Sequence, residues 1–323
     1  MEPIIEPVDK KLLEEELTEL KFVRNTNNGY NKIYIITAHD SPNLMREVGR
    51  LREITFRDAG GGTGRELDID DFDTMPVPFH QLIVWNPVDM EIVGGYRFIH
   101  GKDLPFDEKG HLKSATGELF EFSPRFLRDY LSESIELGRS FVQPNYQPTF
   151  NLRKGMYSLD NLWDGLGAMI IDNPDVNYFF GKMTMYPQYN RTARDIVLRF
   201  LRTYFPDPDH LLTPLYPVET ETPEDFLSSI FTASTFEENY KILVQKVRKF
   251  NENVPPLVNA YMNLSPTMRT FGTSINRDFG DVEETGILIH ISDIYPRKKE
   301  RHLKTYMERL SSLRNIRWRR RKQ

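Results

Sequence analysis

The 323-residue chain contains no cysteine. That absence excludes disulfides, thiolate metal sites and a covalent cysteine acyl-enzyme, and it suits the cytosol. No apolar run approaches the ~20 residues that a membrane helix needs. The first residues offer neither a basic n-region nor an apolar h-region. They carry Glu2, Glu6, Asp9 and Glu14-Glu15-Glu16 instead, so no signal peptide is expected. The seven histidines form no His-x-x-x-His or His-x-His spacing, and no catalytic metal is expected. Repeats and low-complexity linkers are missing too. The 39% hydrophobic and 28% charged residues allow a substantial core, in one large domain or two average ones.

Charge is unevenly placed. The net charge is −5, yet residues 297–323 hold twelve Lys/Arg and two Glu, a local +10 that leaves −15 on the remainder. Leu303, Met307, Leu310, Leu313 and Ile316 recur there at helical spacing, before a terminal Trp318-Arg-Arg-Arg-Lys322. Such a basic amphipathic tail can lie on anionic lipid, dock an acidic carrier protein, or pack its stripe on the domain. Nucleic acid is not expected, because the body is acidic and its aromatics are not interleaved with basic residues.

Residues 8–24 read as an acidic helix with Leu12, Leu13, Leu17 and Leu20 on one side, and Lys32–Thr37 as the first strand. Ser41-Pro42 opens a helix that keeps apolar spacing through Phe56 and ends at Gly60-Gly-Gly-Thr-Gly64. That glycine run follows a helix and lacks a Lys-Ser/Thr, so it reads as a flexible loop rather than a phosphate cradle. Strands are expected at His80–Trp85, Glu91–His100, Ser134–Val142, Val176–Met185 and Gly286–Ile291, the first two as a hairpin. Ser158 reads as the N-cap of a helix through Ile171, with Trp163 in the core. Thr222-Pro223 and the capping box Thr235-Phe-Glu-Glu238 open two more helices before Pro255-Pro256. This order predicts an α/β fold, a mixed sheet with helices on both faces.

The stretch from Arg52 to Arg139 carries the most chemistry. It holds Arg52-x-x-x-Phe56, Glu66-Leu-Asp68-Ile-Asp70-Asp71-Phe72-Asp73, Gly94-Gly95-Tyr96-Arg97 and Glu136-Leu-Gly138-Arg139. Apolar neighbours suggest that many of these charges are partly buried, and buried charges form a network or a site. This ordered set resembles the N-acyltransferases of bacterial aminolipid synthesis. They load a 3-hydroxy fatty acid from acyl carrier protein onto an amino acid, and share the GNAT-type fold with the acyl-homoserine-lactone synthases. The similarity continues through Ser140–Tyr146, Asn177–Gly181, Pro255–Tyr261, Asp278-Phe279 and Asp281, and so spans roughly residues 30–295.

The resemblance implies an elaborated GNAT-like domain over residues 1–296, with a helical insertion near 205–260 and the basic tail after it. It implies direct amide formation from a thioester, with no cofactor beyond the phosphopantetheine of the acyl-carrier-protein donor. Removing a proton from the incoming ammonium requires a base. Glu136 is the expected base or amine-orienting group, with Arg139 beside it; the bland alternative is a strand-end Glu136–Arg139 ion pair. Asp70 and Asp73 are expected to receive the ammonium. Arg52 and Arg97 would hold those carboxylates or bind the amino-acid carboxylate, a task that suits the guanidinium fork, and Phe56 lies with them. A structural ion network is the alternative, and Asp68 and Asp71 are expected to be solvated. Donor contacts are expected from Ser140, Phe141 and Val142, whose backbone N–H groups would stabilise the oxyanion. Arg153-Lys154-Gly155 would meet the donor phosphate ahead of a helix. The chain lacks a clean Arg/Gln-x-x-Gly-x-Gly there, which disfavours acetyl-CoA. Phe141-Val-Gln-Pro and Gly181–Pro187 look more like the glycine-lipid than the ornithine-lipid enzymes. A lactone-forming signal synthase and a catalytically silent lipid- or carrier-binding module remain as rivals. The implied location is cytoplasmic, peripheral to the membrane's inner face.

Overall fold

A computed structural model of the chain describes residues 1–311. Among these residues ten strands form in chain order: β1 (Phe22–Asn25), β2 (Lys32–Ile36), β3 (His80–Asn86), β4 (Glu91–His100), β5 (Phe120–Phe122), β6 (Ser134–Val142), β7 (Tyr178–Met185), β8 (Leu212–Pro214), β9 (Arg269–Asn276) and β10 (Val282–His290). Eight of them make one sheet in the order β1-β2-β3-β4-β6-β7-β10-β9, while β5 and β8 pair as a small ribbon. The expected mixed α/β sheet is present.

Every neighbouring pair in the large sheet is antiparallel except β6 and β7. Their parallel ladder runs from Ser134↔Tyr178 to Leu137↔Gly181 and stops. Beyond that point β6 stays with β4 as far as Gly94↔Val142, and β7 stays with β10 as far as Glu283↔Met185. The sheet therefore forks. Gly181 sits at the crotch, where a Cβ would stand 2.2 Å from the Leu137 carbonyl oxygen, so only glycine lets the strands come this close before they part.

Helices cover both faces. On one side lies α2 (Pro42–Asp58), following the short α1 (Lys10–Glu16), and it buries Leu44, Val48, Leu51 and Phe56 against Ile36, Ile83, Trp85 and Phe141. The same side carries the one-turn α3 (Asp71–Thr74) and an excursion over residues 101–131 that includes α4 (Pro124–Asp129), capped by Ser123. On the opposite side, α5 (Leu152–Gly155) leads into α6 (Ser158–Asp172), and α7 (Arg191–Tyr204) joins it over Leu82, Tyr96, Leu137 and Phe179. Next come α8 (Glu224–Ser228), α9 (Phe236–Arg248) and α10 (Pro256–Met262), within the stretch expected as a helical insertion. Each fully buried aliphatic or aromatic side chain here contributes about 1.5–3 kcal/mol.

Some elements differ from expectation. The first helix ends at Glu16, and Phe22–Asn25 forms an unforeseen strand ahead of Lys32–Ile36. Tyr157, not Ser158, occupies the cap position of α6, because the short α5 already turns the chain before it. The start of the basic tail packs against the domain, one of the roles that the sequence leaves open. His302 and Tyr306 are buried against α6, with His302 Nδ1 2.8 Å from Asp164 and the Tyr306 hydroxyl 2.9 Å from Asp172, whereas Met307 of the expected stripe is 55% exposed. Leu313, Ile316 and the Trp318–Lys322 run lie outside the described residues.

Candidate active site

Three arginines and three aspartates interlock beside the fork. Arg52 comes from α2, Arg97 from β4 and Arg139 from β6. The aspartates come from the segment around α3, where Asp70 and Asp73 cap each other's backbone in a reciprocal box. Arg97 Nη1 donates to both oxygens of Asp70 at 2.7 Å and lies 3.5 Å from Asp73. Arg52 Nη1 donates to Asp73 at 3.0 Å and Nη2 to Gln81, whose own amide donates to Asp73 at 2.9 Å. Arg139 Nε is 2.9 Å from Asp68. Burial pushes the Asp70 carboxyl up, but Arg97 and Arg139 outweigh it and hold Asp70 well below the usual range. Burial pushes the Asp68 carboxyl up on balance, despite Arg139.

This arrangement corrects one expectation and removes one alternative. Asp68 is fully buried rather than solvated, because Arg139 reaches it, while Asp71 is exposed as expected. Arg139 does not pair with Glu136. It adopts a left-handed backbone (φ +47°) where β6 bulges against β4, which turns its guanidinium towards Asp68 and over the Phe279 ring at 4.1 Å. Such a conformation costs a non-glycine residue about 1–3 kcal/mol, and the ion pair and ring contact offset it.

The fork opens into a cavity of about 580 Å³ that meets both faces of the sheet. On the face carrying α2 and α3 its lining is charged, with Arg97, Glu136, Arg139, Lys182 and Glu284. On the other it is apolar, with Leu137, Val142, Leu159, Pro255, Leu257 and Tyr261 among its walls. Glu136 is 1% exposed; its Oε1 accepts from the Thr116 N–H at 2.6 Å and its Oε2 has no hydrogen-bond partner. Burial raises its affinity for a proton, and Lys182 offsets only part of that effect. Lys182 Nζ lies 3.4 Å from Glu284 and donates to the Ala115 carbonyl. Tyr96, buried beside Ser140 and Tyr261, has its hydroxyl pKa raised by burial. A buried carboxylate with a free oxygen, next to a wet-to-dry channel, can take a proton from a substrate that enters the charged end.

The expected site residues divide. Glu136, Arg139, Arg97, Phe56, Ser140, Phe141 and Val142 line the cavity. Arg52 and Asp73 do not; both are fully enclosed in the ion lattice. Asp70 is bound by Arg97, with Arg139 nearby, and stands outside the lining. Arg153, Lys154 and Gly155 also lie outside it: Lys154 is tied to Asp89 at 2.7 Å, and Gly155 packs on Pro148. Lys182, Glu284, Tyr96 and Tyr261 were not anticipated, although a lone lysine in the apolar Phe179–Met185 run was a visible signal. The Gly60–Gly64 loop folds around the carboxylate of Glu53, which accepts from the Thr63 N–H at 3.0 Å and the Gly64 N–H at 2.8 Å. Its amides are thus spent on the protein's own anion. Among the described residues no cluster of His, Cys, Asp and Glu could hold a metal ion.

Comparison with known proteins agrees with this geometry. A family model described as an acetyltransferase (GNAT) domain matches residues 51–153, which run from within α2 into α5 and include β4 and β6, one arm of the fork. The chain is 56% identical to a glycine N(alpha)-acyltransferase of Bacteroides thetaiotaomicron over 308 residues, covering 95% of this chain and 91% of that protein. It is 54% identical to a glycine N(alpha)-acyltransferase of Phocaeicola vulgatus over 308 residues, covering 95% and 94% respectively. No solved structure gives a significant match. With identity at that level along nearly its whole length, the chain belongs to the GNAT-fold N-acyltransferase family of those relatives and is an acyltransferase.

Proposed function

We propose that the protein transfers a 3-hydroxyacyl chain from acyl carrier protein to the α-amine of glycine, making a lyso-aminolipid as the first step of glycine-lipid synthesis. The observation that carries this reading is the forked cavity, with Glu136 at its charged end and an apolar channel behind it. The acceptor follows the names of the two relatives.

In this mechanism the acyl-pantetheine arm enters along Val142, Leu159 and Tyr261, and the amino acid enters from the arginine side. Arg139, with Nε on Asp68, Nη2 3.6 Å from Asp70 and its side chain bordering the cavity, binds the acceptor carboxylate. Glu136 takes a proton from the ammonium, and the freed lone pair attacks the thioester carbonyl. The C–N bond forms and the negative oxygen is met by backbone N–H groups in Ser140–Val142, which no longer face a β7 partner. When the intermediate collapses the C–S bond breaks, and the second amine proton ends on the departing thiolate. The carrier-protein donor is favoured over acyl-CoA because Arg153, Lys154 and Gly155 make no phosphate cradle on the cavity, and phosphopantetheine carries one phosphate.

No described helix is long and apolar enough to cross a membrane, so contact with lipid would fall to the basic residues of 297–323. Purified protein given 3-hydroxyacyl carrier protein, the matching acyl-CoA, and glycine or ornithine tests the whole reading by mass spectrometry. N-(3-hydroxyacyl)glycine formed preferentially from the carrier protein is expected. An ornithine amide, an acyl lactone, equal use of CoA, or no amide would each overturn the corresponding part.

A further inference from the structure

We propose that Glu284, held in place by Lys182, is a second ligand for the acceptor's ammonium group, so that the amine docks between two carboxylates, Glu136 from β6 and Glu284 from β10. The proposal deepens the N-acyltransferase reading above and rests on it.

Sheet register brings the three side chains together. Glu136 pairs with Phe180 of β7, and Glu284 pairs with Thr184. Lys182 lies midway between those two β7 residues, and side chains two apart or directly opposite share a face. All three therefore project from one side of the sheet at the fork, and all three line the cavity. Lys182 links the two acids, reaching Glu284 at 3.4 Å and the carbonyl of Ala115, the residue before the Thr116 N–H that binds Glu136.

Two observations mark this cluster as a cation site. First, Oε2 of Glu136 is buried and accepts no hydrogen bond, and Oε2 of Glu284, buried as well, has only the 3.4 Å ion contact with Lys182, in residues 1% and 4% exposed. Buried acceptors without donors are costly, and a substrate that brings N–H groups relieves that cost. Second, the acids outnumber the bases here, with two carboxyl groups to one lysine. The adjoining lattice matches Asp68, Asp70 and Asp73 with Arg52, Arg97 and Arg139. The Asp70/Asp73 pair, expected to receive the ammonium, has already given its oxygens to Arg97, Arg52 and Gln81. Room for a further positive charge exists at Glu136 and Glu284.

Glycolate keeps the carboxylate of glycine but carries a hydroxyl instead of the ammonium, so it isolates the amine contact. With the Glu284→Gln enzyme, KM for glycine should rise roughly 10–100-fold, the worth of a hydrogen bond to a charged group. The inhibition constant of glycolate and KM for the acyl donor should move less than about threefold, because neither uses this contact. Glu284→Asp keeps the charge but withdraws it, and should show the same selective loss in smaller measure; it serves if the glutamine variant does not fold. Selective loss of glycine over glycolate supports the proposal. Equal changes for both ligands, or no change for either, overturn it while leaving the acyltransferase reading intact. Wild-type enzyme that fails to acylate glycine would instead overturn the reading on which it rests.

Discussion

Changing Glu136 to glutamine separates chemistry from folding in one variant. Glutamine keeps the shape of the side chain, and its carbonyl still accepts the Thr116 N–H now held at 2.6 Å. Only the proton-accepting oxygen is lost. Removing a general base typically lowers turnover by about 10²–10⁴-fold, or ~3–5 kcal/mol on the barrier. Stability should move the other way. Burial raises the proton affinity of Glu136 in the folded state, so the wild type is most stable when this group is protonated and loses that contribution as pH rises through its folded pKa. Every tenfold gain in proton affinity on folding corresponds to about 1.4 kcal/mol lost above that point. The substituted amide cannot ionise. The E136Q variant should therefore match the wild-type melting temperature at about pH 4, near the unfolded carboxyl pKa, and equal or exceed it above neutrality. The wild-type kcat/KM should rise with pH along an acid limb that the variant lacks; Lys182, Glu284 and Arg97 are the charged neighbours that set its position. Circular-dichroism melts and acylation rates across pH 4–9 measure both effects. Activity and melting temperature falling together at neutral pH would refute the argument and return Glu136 to a structural role.

Arg52→Met should cost about 3–5 kcal/mol in urea denaturation, the usual penalty for stranding a buried carboxylate, because it strips Asp73 of its closest cation. KM for the acceptor should stay within about twofold, since Arg52 does not border the cavity; a large KM effect with normal stability would place Arg52 on the substrate. Truncation after Ser311 removes six of the twelve Lys/Arg of residues 297–323 while sparing the His302 and Tyr306 contacts with α6. Co-sedimentation with anionic vesicles at low salt should fall sharply, at about 1 kcal/mol for each engaged basic residue, and full-length protein that ignores such vesicles would end the membrane assignment.

Local signals carried much of the fold. β4 and β6 were expected with their observed bounds, and α2 announced itself through Ser41-Pro42 and its apolar spacing. β1 was hidden because Leu17 and Leu20 extend a helical period that the chain abandons at Glu16. β9 was hidden because Gly272, at φ +85°, breaks its alternation where β10 slips register. α7 has a legible signal in the sequence, the 3.6-residue period of Ala193, Ile196, Val197, Phe200 and Leu201. The site was legible as a set of charged motifs, but its wiring was not. Residues three apart in a regular strand face opposite ways, and only the bulge at Arg139 brings its guanidinium to the face of Glu136, where it meets Asp68. Lys182 and Glu284 meet across about a hundred residues of chain, and no local pattern reports that.

The arginine–aspartate lattice has a consequence for how the domain comes apart. Its members arrive from α2, the segment around α3, β3, β4 and β6, between residues 52 and 139. Detaching α2, the segment around α3, β4 or β6 would leave an ion stranded in a dry interior, at several kcal/mol, and detaching β3 would strip Arg52 and Asp73 of Gln81. Partial openings across this half of the molecule are therefore suppressed, and its backbone amides should exchange with solvent only through one shared, concerted event. β9 and α8 through α10 own no part of the lattice, and they are free to open on their own at lower cost. One wall of the cavity is thus anchored by charge to a unit that opens all at once. The opposite wall, where Pro256, Leu257 and Tyr261 lie, is held by packing and by separate hydrogen bonds, such as Tyr240 to Asn259 and the Asn190 N–H to Glu252, and can yield to a long acyl chain.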